Sequence, residues 1–502
     1  MIRSSTVDDV VRRSALRHPD RTALQFQDRS WTYRQLDEAV TRAAGVLLDL
    51  GLAKGDRVAA YGKNSDAYLL CFLGCARAGL VHVPINYALT GDELSYLVDQ
   101  SGSRVAFTDP ALASRFEEIE HSLDQVLILR DTDGCLLDQA HSGPLPDLDV
   151  EVADTDLVQL LYTSGTTSRP KGAMMTHRAF VHEYISCILS LGCSADDEPL
   201  HPMPLYHSAG MHVFLLPYLA VGAVNHLMEA PDIPEILRRV EADSIGALFL
   251  APTVWVPLSN HPDFASRDLS SLHKAFYGAS IMPQPVLQRL QNRLPGLGFY
   301  NCFGQSEIGP LATVLGPDEH AARPESCGTS ALFVELRVVD GEGNDVPPGE
   351  LGEVVYRSPQ LCEGYWGKPE ETAEAFHGGW FHSGDLVRAD AEGYITVVDR
   401  IKDVINTGGV LVASREVEDA LYDHPAVAEA AVIGTPDERW IEAITAFVVV
   451  KEEVSPTELI AHVRGKLAGF KVPKQVLLIE ELPRNASGKL LKRVLRDGLT
   501  GA

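Results

Sequence analysis

The chain has 502 residues, of which 45% are hydrophobic and 22% charged. That is ordinary globular composition, and the length calls for more than one domain around a large core. A formal charge of −26 argues against a general nucleic-acid or anionic-membrane role. Anionic substrates would have to be gathered by a few local cations.

The first residues, Met-Ile-Arg-Ser-Ser-Thr-Val-Asp-Asp, hold no apolar signal core. The next segment alternates helix and strand signals. Thr32 is placed to cap a helix carrying Leu36, Val40, Ala43 and Leu47 and ending at Gly51. Residues 57–61, 81–83 and 105–108 read as strands, and 68–79 and 92–101 as helices. This alternation predicts parallel sheet with crossover helices. Cys71 and Cys75 fall one turn apart in an apolar helix and read as core. The eight cysteines are scattered with no Cys-x-x-Cys pair, so a reducing cytoplasm is expected.

Residues 131–156, rich in Asp, Gly and Pro, read as a solvated connection. Residues 211–228 come nearest to a membrane span but contain Pro217, Gly222, Asn225 and two histidines. They read as a buried helix followed by a strand, so no integral membrane segment is expected. Residues 335–356 suggest β-hairpins around a Gly341-Glu342-Gly343-Asn344 turn. After a strand at 395–398 the chain restarts as a small unit: helix 416–422, strands 430–433 and 443–449, helix 456–466. A boundary at about Arg400 is expected, giving domains 1–399 and 400–502.

The chemistry concentrates in a few stretches. An apolar segment at 157–162 runs into Thr163-Ser164-Gly165-Thr166-Thr167-Ser168-Arg169-Pro170-Lys171. A strand feeding such a loop offers backbone N–H groups, hydroxyls and two cations to one point, which suits a polyphosphate. It is not a Walker A loop, because Gly165 is not followed at the right spacing by Gly-Lys-Ser/Thr. Pro204-Leu205-Tyr206-His207-Ser208-Ala209-Gly210 sets an aromatic and a histidine before a small-residue helix start. Tyr277-Gly278-Ala279-Ser280 offers backbone for stacking a planar ring. Asn301-Cys302-Phe303-Gly304-Gln305-Ser306-Glu307 supplies an amide, an aromatic face, a hydroxyl and a carboxylate. Trp380-Phe381-His382-Ser383-Gly384-Asp385 puts a carboxylate after a glycine turn. Asp399-Arg400-Ile401-Lys402-Asp403, Gly408-Gly409 and Pro483-Arg484-Asn485-Ala486-Ser487-Gly488-Lys489 follow. Taken singly, a Glu after a hydroxyl or a Lys after Gly is usually solvated surface.

Together and in this order, from Thr32-Tyr33 to Lys489, these stretches resemble the adenylate-forming superfamily: acyl-CoA synthetases, luciferase-like enzymes and peptide-synthetase adenylation domains. The resemblance implies an α/β fold with a large N-terminal domain of parallel α/β sheets plus a β-rich subdomain, and a small mobile C-terminal α+β domain. It implies ATP, Mg²⁺ and coenzyme A as cofactors, and a small-molecule carboxylic acid as substrate. Thr163, Ser164, Gly165, Thr166, Thr167 and Lys171 would form the phosphate loop. Phe303 would stack on adenine with Gly278 and Ala279 on the other face, Asn301 would bond the adenine edge, and Ser280, Cys302 and Gly304 would also contact the nucleotide. Ser306 and Glu307 would sit at the α-phosphate, with Glu307 and Thr163 at Mg²⁺. Asp385, Val397 and Arg400 would hold the ribose and phosphate. Lys489 would bridge the attacking carboxylate and the α-phosphate. Lys402 would be the hinge, and Gly408-Gly409 would admit pantetheine. The acyl lining would be His207, Gly210, Met211, Val254, Trp255, Gly278 and Gly304, and the catalytic residues would be Lys489, Thr163, Lys171, Glu307 and His207.

This casting suits a reaction that joins two anions, where charge neutralisation matters more than a base. Two positions depart from the family pattern: Ser168 replaces a loop glycine, and Leu411 replaces an Asn or a cation. Amino-acid-activating relatives carry an Asp where His207 stands, so an uncharged acyl group is expected. The expected function is an acid–thiol ligase making acyl-CoA through acyl-AMP, with a medium or long straight-chain fatty acid first and an aryl or alicyclic acid second. Loading of a carrier protein is the alternative within that chemistry. A non-enzymatic nucleotide-binding regulator is disfavoured by Lys171, Glu307, Asp385 and Lys489. A monomer or homodimer that binds no nucleic acid is expected.

Overall fold

The structure, a computed structural model, describes residues 5–163, 169–278, 280, 282–408, 410–437, 439–484 and 490–500. By contacts the chain divides into two units. The first takes residues up to 163, 170–336 and 356–381; the second takes 337–355 and 382 onward. The contact division therefore falls at 381/382, and the strands on either side of residue 390 group with the C-terminal part.

The first unit is α/β with two sheets. Six strands lie in the order Gln125–Ile128, Ser103–Thr108, Arg57–Tyr61, Val81–Ile85, Leu157–Thr163, Lys171–Thr176. All neighbours are parallel except the last pair. The second sheet has nine strands. Its middle, from Gly298–Phe303 through Lys274–Gly278, Ala247–Phe249, Pro199–His201 and Asn225–Leu227 to Thr22–Phe26, is parallel, and its edges are antiparallel.

The helices between strands follow the expected caps. Thr32 closes a capping box on Tyr33–Asp49: its Oγ1 accepts from Gln35 N at 3.2 Å, while Gln35 Oε1 accepts from Thr32 N at 2.8 Å. Asp66–Ala78 is buried at every position but Arg77, which explains its all-round apolar sequence and places Cys71 and Cys75 in the core. All eight cysteines are free. Residues 211–228 are a helix and a strand as expected. The helix opens as a π-helix at Ala209–Leu215 before the α-helix Leu216–Val221. No described helix is long and apolar enough to cross a membrane.

In the second unit, residues 385–389 of the strand Trp380–Ala389 pair antiparallel with Ile395–Arg400. A further sheet orders Val410–Val412, Ile405–Thr407, Ile441–Val450 and Val427–Asp437, with Gln475–Leu478 added parallel to Ile441–Val450. Helices Ser414–Tyr422 and Pro456–Arg464 pack Val417, Leu421, Leu459 and Val463 against Val432 and Ile444.

Candidate active site

Antiparallel pairing of Leu157–Thr163 with Lys171–Thr176 sets Thr163 directly opposite Lys171. Both ends of the expected phosphate loop thus emerge side by side. Ser164, Gly165, Thr166, Thr167 and Ser168 lie outside the described residues. Thr163 Oγ1 donates to Glu307 Oε1 at 3.1 Å, and Tyr365 Oη donates to the same oxygen at 3.0 Å. The Lys171 ammonium lies 5.1 Å from the Tyr365 ring centroid. Ser306 Oγ meets Ser208 Oγ at 2.9 Å. One point of the first unit therefore gathers Thr163, Lys171, Ser306 and the buried Glu307.

Tyr365 is an addition that sequence reasoning passed over, and Ser208, singled out only within the 204–210 stretch, gains a partner here. The available signal was a tyrosine between Gly364 and Gly367 beside Trp366. Burial, and then the Glu307 charge, hold the Tyr365 phenol up, so it stays a donor.

The adenine-site stretches lie on neighbouring parallel strands, Gly278 opposite Cys302 and Tyr277 opposite Asn301. Asn301 Nδ2 donates to the Ser326 carbonyl at 2.9 Å, which fixes the side-chain amide at the strand. Burial pushes the Cys302 thiol up, and its side chain packs with Phe276 and Phe214 in an apolar cluster. Phe303 pairs with Thr313 at the strand end. Ser280 is exposed, and Ala279 lies outside the described residues.

The expected acyl-lining residues also answer to packing constraints. A Cβ on Gly210 would sit 2.7 Å from the Pro204 carbonyl oxygen. On Gly278 it would strike the Cys302 carbonyl, and on Gly304 the Pro310 carbonyl. These glycines admit neighbouring backbone. Met211 is fully packed, and Trp255 is buried with its indole N–H on the Phe276 carbonyl at 3.1 Å. Val254 is half-buried, and His207 is exposed.

In the second unit, Asp385 is buried and pairs with Arg400: Nε lies 3.1 Å from Oδ1, and the two residues face each other across the hairpin. Val397 opposes Val387 on the same pair. Lys402 is exposed in the short turn Ile401–Asp403, and Arg496 reaches its carbonyl at 3.4 Å and Asp403 Oδ1 at 2.7 Å. Gly408 adopts φ +65° beside Trp440. Leu411 is 65% exposed, so no apolar packing explains its departure from the family pattern. Gly409 and Lys489 lie outside the described residues.

The AMP-binding enzyme family matches residues 11–366, and the AMP-binding enzyme C-terminal domain matches 416–489. The chain belongs to the AMP-binding enzymes. A feruloyl-CoA synthase of an Amycolatopsis species is 39% identical over 96% of the enzyme and 97% of that relative. A fatty acid–[acyl-carrier-protein] ligase, ScoC of Streptomyces coeruleorubidus, is 34% identical over 97% and 95%. Among solved structures, the o-succinylbenzoate–CoA synthetase of Bacillus subtilis in complex with ATP and magnesium ion superposes with a TM-score of 0.88 at 26% identity, covering 98% of the enzyme and 99% of that chain. The enzyme is an adenylate-forming acid–thiol ligase of the acyl-CoA synthetase kind.

Proposed function

We propose that the enzyme activates an aryl carboxylic acid with ATP, releasing pyrophosphate and forming acyl-AMP, and then passes the acyl group to the thiol of coenzyme A with release of AMP. Carrying this reading is the gathering of Thr163, Lys171, Ser306 and Glu307 at one point. Two hydroxyls, a cation and a carboxylate form a phosphate-and-cation site.

The donor set fits Mg²⁺. Glu307 offers hard carboxylate oxygens, with Thr163 beside it. No group of three or more His, Cys, Asp or Glu that could cage a metal occurs among the described residues. That suits a cation delivered with nucleotide phosphates rather than held by an all-protein site. When bound, the ion would neutralise phosphate charge. Lys171 would hold the outgoing phosphates. Asp385, oriented by Arg400, would accept from ribose hydroxyls. Lys489 would neutralise the meeting of carboxylate and α-phosphate. Thiol attack then needs access more than acid–base help, because AMP leaves readily. The reading includes a functional hinge at Lys402 dividing the chain near Arg400, and a reducing, cytoplasmic setting supported by the free cysteines.

The aryl acid is favoured over the fatty acid for one structural reason. Backbone carbonyls crowd Gly210, Gly278 and Gly304 of the expected acyl lining, and Met211 and Trp255 are buried. A flat, short acid asks less reopening of that packing than a long chain. The feruloyl-CoA synthase relative points the same way. A straight-chain acid is the second reading, supported by the ScoC likeness, and the same relative keeps a carrier-protein thiol as an alternative acceptor. The test is kcat/KM for thioester formation across a hydroxycinnamate, an arylacetate and straight acids of increasing length, with CoA and with a phosphopantetheinylated carrier. A hydroxycinnamate is expected to lead. A fatty acid outrunning every aryl acid would select the second reading. Absence of pyrophosphate exchange with all acids would overturn the ligase assignment.

A further inference from the structure

The helix His177–Ser190 buries a carboxylate that the proposed reaction does not use. Glu183 is fully buried. Its Oε1 accepts the Leu311 N–H at 2.9 Å and the Cys187 thiol at 3.4 Å, and its Oε2 accepts from Gln360 Nε2. Gln360 is also fully buried. Its Nε2 reaches the carbonyls of Ile308 at 3.3 Å and Leu311 at 3.2 Å, and its Oε1 accepts from Ser186 Oγ at 2.6 Å. Cys362, two residues on, donates its N–H to the Glu307 carbonyl at 2.8 Å.

Both ends of the 307–311 turn are thus held by one small network. An apolar side chain at 183 would be the cheaper way to fill this space, since burying an acid is costly. Every group facing Glu183 (an amide N–H, a thiol and a carboxamide N–H) is a donor. Burial pushes the Glu183 carboxyl up to about 8, but these three donors are completed by the ionised form, a double acceptor, whereas a glutamine would present a donor to Gln360. If Gln360 flipped in response, the Ile308 and Leu311 carbonyls would lose their donor.

We propose that Glu183, acting with Gln360 and Ser186, is a positioning residue for Glu307: it fixes the 307–311 turn so that one Glu307 oxygen stays on the Thr163 and Tyr365 hydroxyls and the other is presented to the nucleotide's divalent cation. This rests on the reading of Glu307 as the cation-holding carboxylate. Groups that orient a metal-binding carboxylate typically alter affinity by about tenfold or more when changed.

The experiment is calorimetric binding of ATP to the full chain, with Mg²⁺ and with EDTA, for the wild type, Glu183→Gln, Ser186→Ala, Glu307→Gln and the Glu183→Gln/Glu307→Gln double variant. The gain in ATP affinity that Mg²⁺ gives should fall about tenfold in Glu183→Gln, and in the same direction in Ser186→Ala. Affinity in EDTA should hold. In the Glu307→Gln background the Glu183 change should add nothing, since coupled residues fail to add. An equal loss with and without Mg²⁺, an unchanged gain, or full additivity overturns the positioning role. Should Glu183→Gln fail to fold by circular dichroism, Ser186→Ala decides alone. If Glu307→Gln leaves the gain intact, the reading of Glu307 fails first and the inference falls with it.

Discussion

Thr163 and Glu307 are 144 residues apart in sequence and joined by a 3.1 Å hydrogen bond. The strand that feeds the phosphate loop is thereby tied to the short turn Ser306–Ile308. Tyr365 donates to the same carboxylate oxygen, so Glu307 is held from two elements and its orientation is over-determined.

Tyr365→Phe removes one of those two donors and little volume. A hydrogen bond to a charged group contributes about 1.5–3 kcal/mol, so kcat/KM for MgATP in pyrophosphate exchange should drop at least about tenfold. Thioester formation from supplied acyl-adenylate should change little, because it no longer needs the triphosphate geometry. Equal losses in the two assays would place Tyr365 outside the nucleotide site.

Lys489→Ala should separate the half-reactions more sharply. Its proposed charge is needed only while a carboxylate meets the α-phosphate. Adenylation should fall by about two orders of magnitude or more, as when one charge partner of a transition state is removed. Transfer from supplied acyl-adenylate to CoA should largely persist. Parallel loss of both rates would sink the role.

The turn Ile401–Asp403 gives the hinge proposal a local handle. Arg496 holds the Lys402 carbonyl and the Asp403 carboxylate, so this turn is anchored to the last helix. Lys402→Pro fixes φ there and disfavours the helical conformation of Ile401. Acyl-adenylate should form and accumulate while CoA transfer slows. Arg496→Ala should relax the anchor without fixing the torsion and leave transfer at or above the wild-type rate. Unchanged transfer in Lys402→Pro would remove Lys402 as the hinge.

Much of this architecture was legible in the sequence because local signals agreed with tertiary needs. Thr32 caps where a Thr with Gln three residues on should cap, and strand 57–61 has the expected bounds. The site motifs were legible as residue types at fixed spacings. What escaped was pairwise and long-range. Nothing near Tyr365 says that its hydroxyl meets Glu307, and nothing near Glu183 says that it faces Leu311. The acyl glycines are ambiguous for a related reason: a small residue reads the same whether it clears space for a substrate or for a carbonyl. Gly210→Trp is therefore expected to damage folding before it tunes chain length. Gly210→Ala should already lower the thermal midpoint, since its Cβ meets Pro204 O at 2.7 Å. A Gly210→Ala enzyme of wild-type stability with altered acid preference would favour Gly210 as acyl lining over a packing role.

A buried histidine network predicts that the first unit loses stability in acid. His212 stacks on Phe180 at 3.7 Å; its Nδ1 meets Tyr184 Oη at 2.9 Å and its Nε2 meets Gln159 Oε1 at 2.8 Å. Gln159 Nε2 in turn meets His82 Nδ1 at 3.0 Å. Gln159 lies on the strand that leads to Thr163, so the network ties the π-helix Ala209–Leu215 to that strand. Burial pushes His82 down to about 3 and His212 well below the ordinary 6.5, with His82 adding to the latter. Both rings are neutral when folded, while the unfolded chain binds protons below about 6.5. Stability from keeping them neutral is present above that pH and is lost as pH falls toward 3. The loss runs at about 1.4 kcal/mol per pH unit for each ring. Urea unfolding followed at pH 7.5, 6.5, 5.5 and 4.5 should show this fall. His82→Gln should flatten the slope below pH 6.5 by about one proton's worth, whatever it does to stability at pH 7.5. An unaltered slope in that variant would mean that His82 is not among the groups whose protonation unfolds the unit.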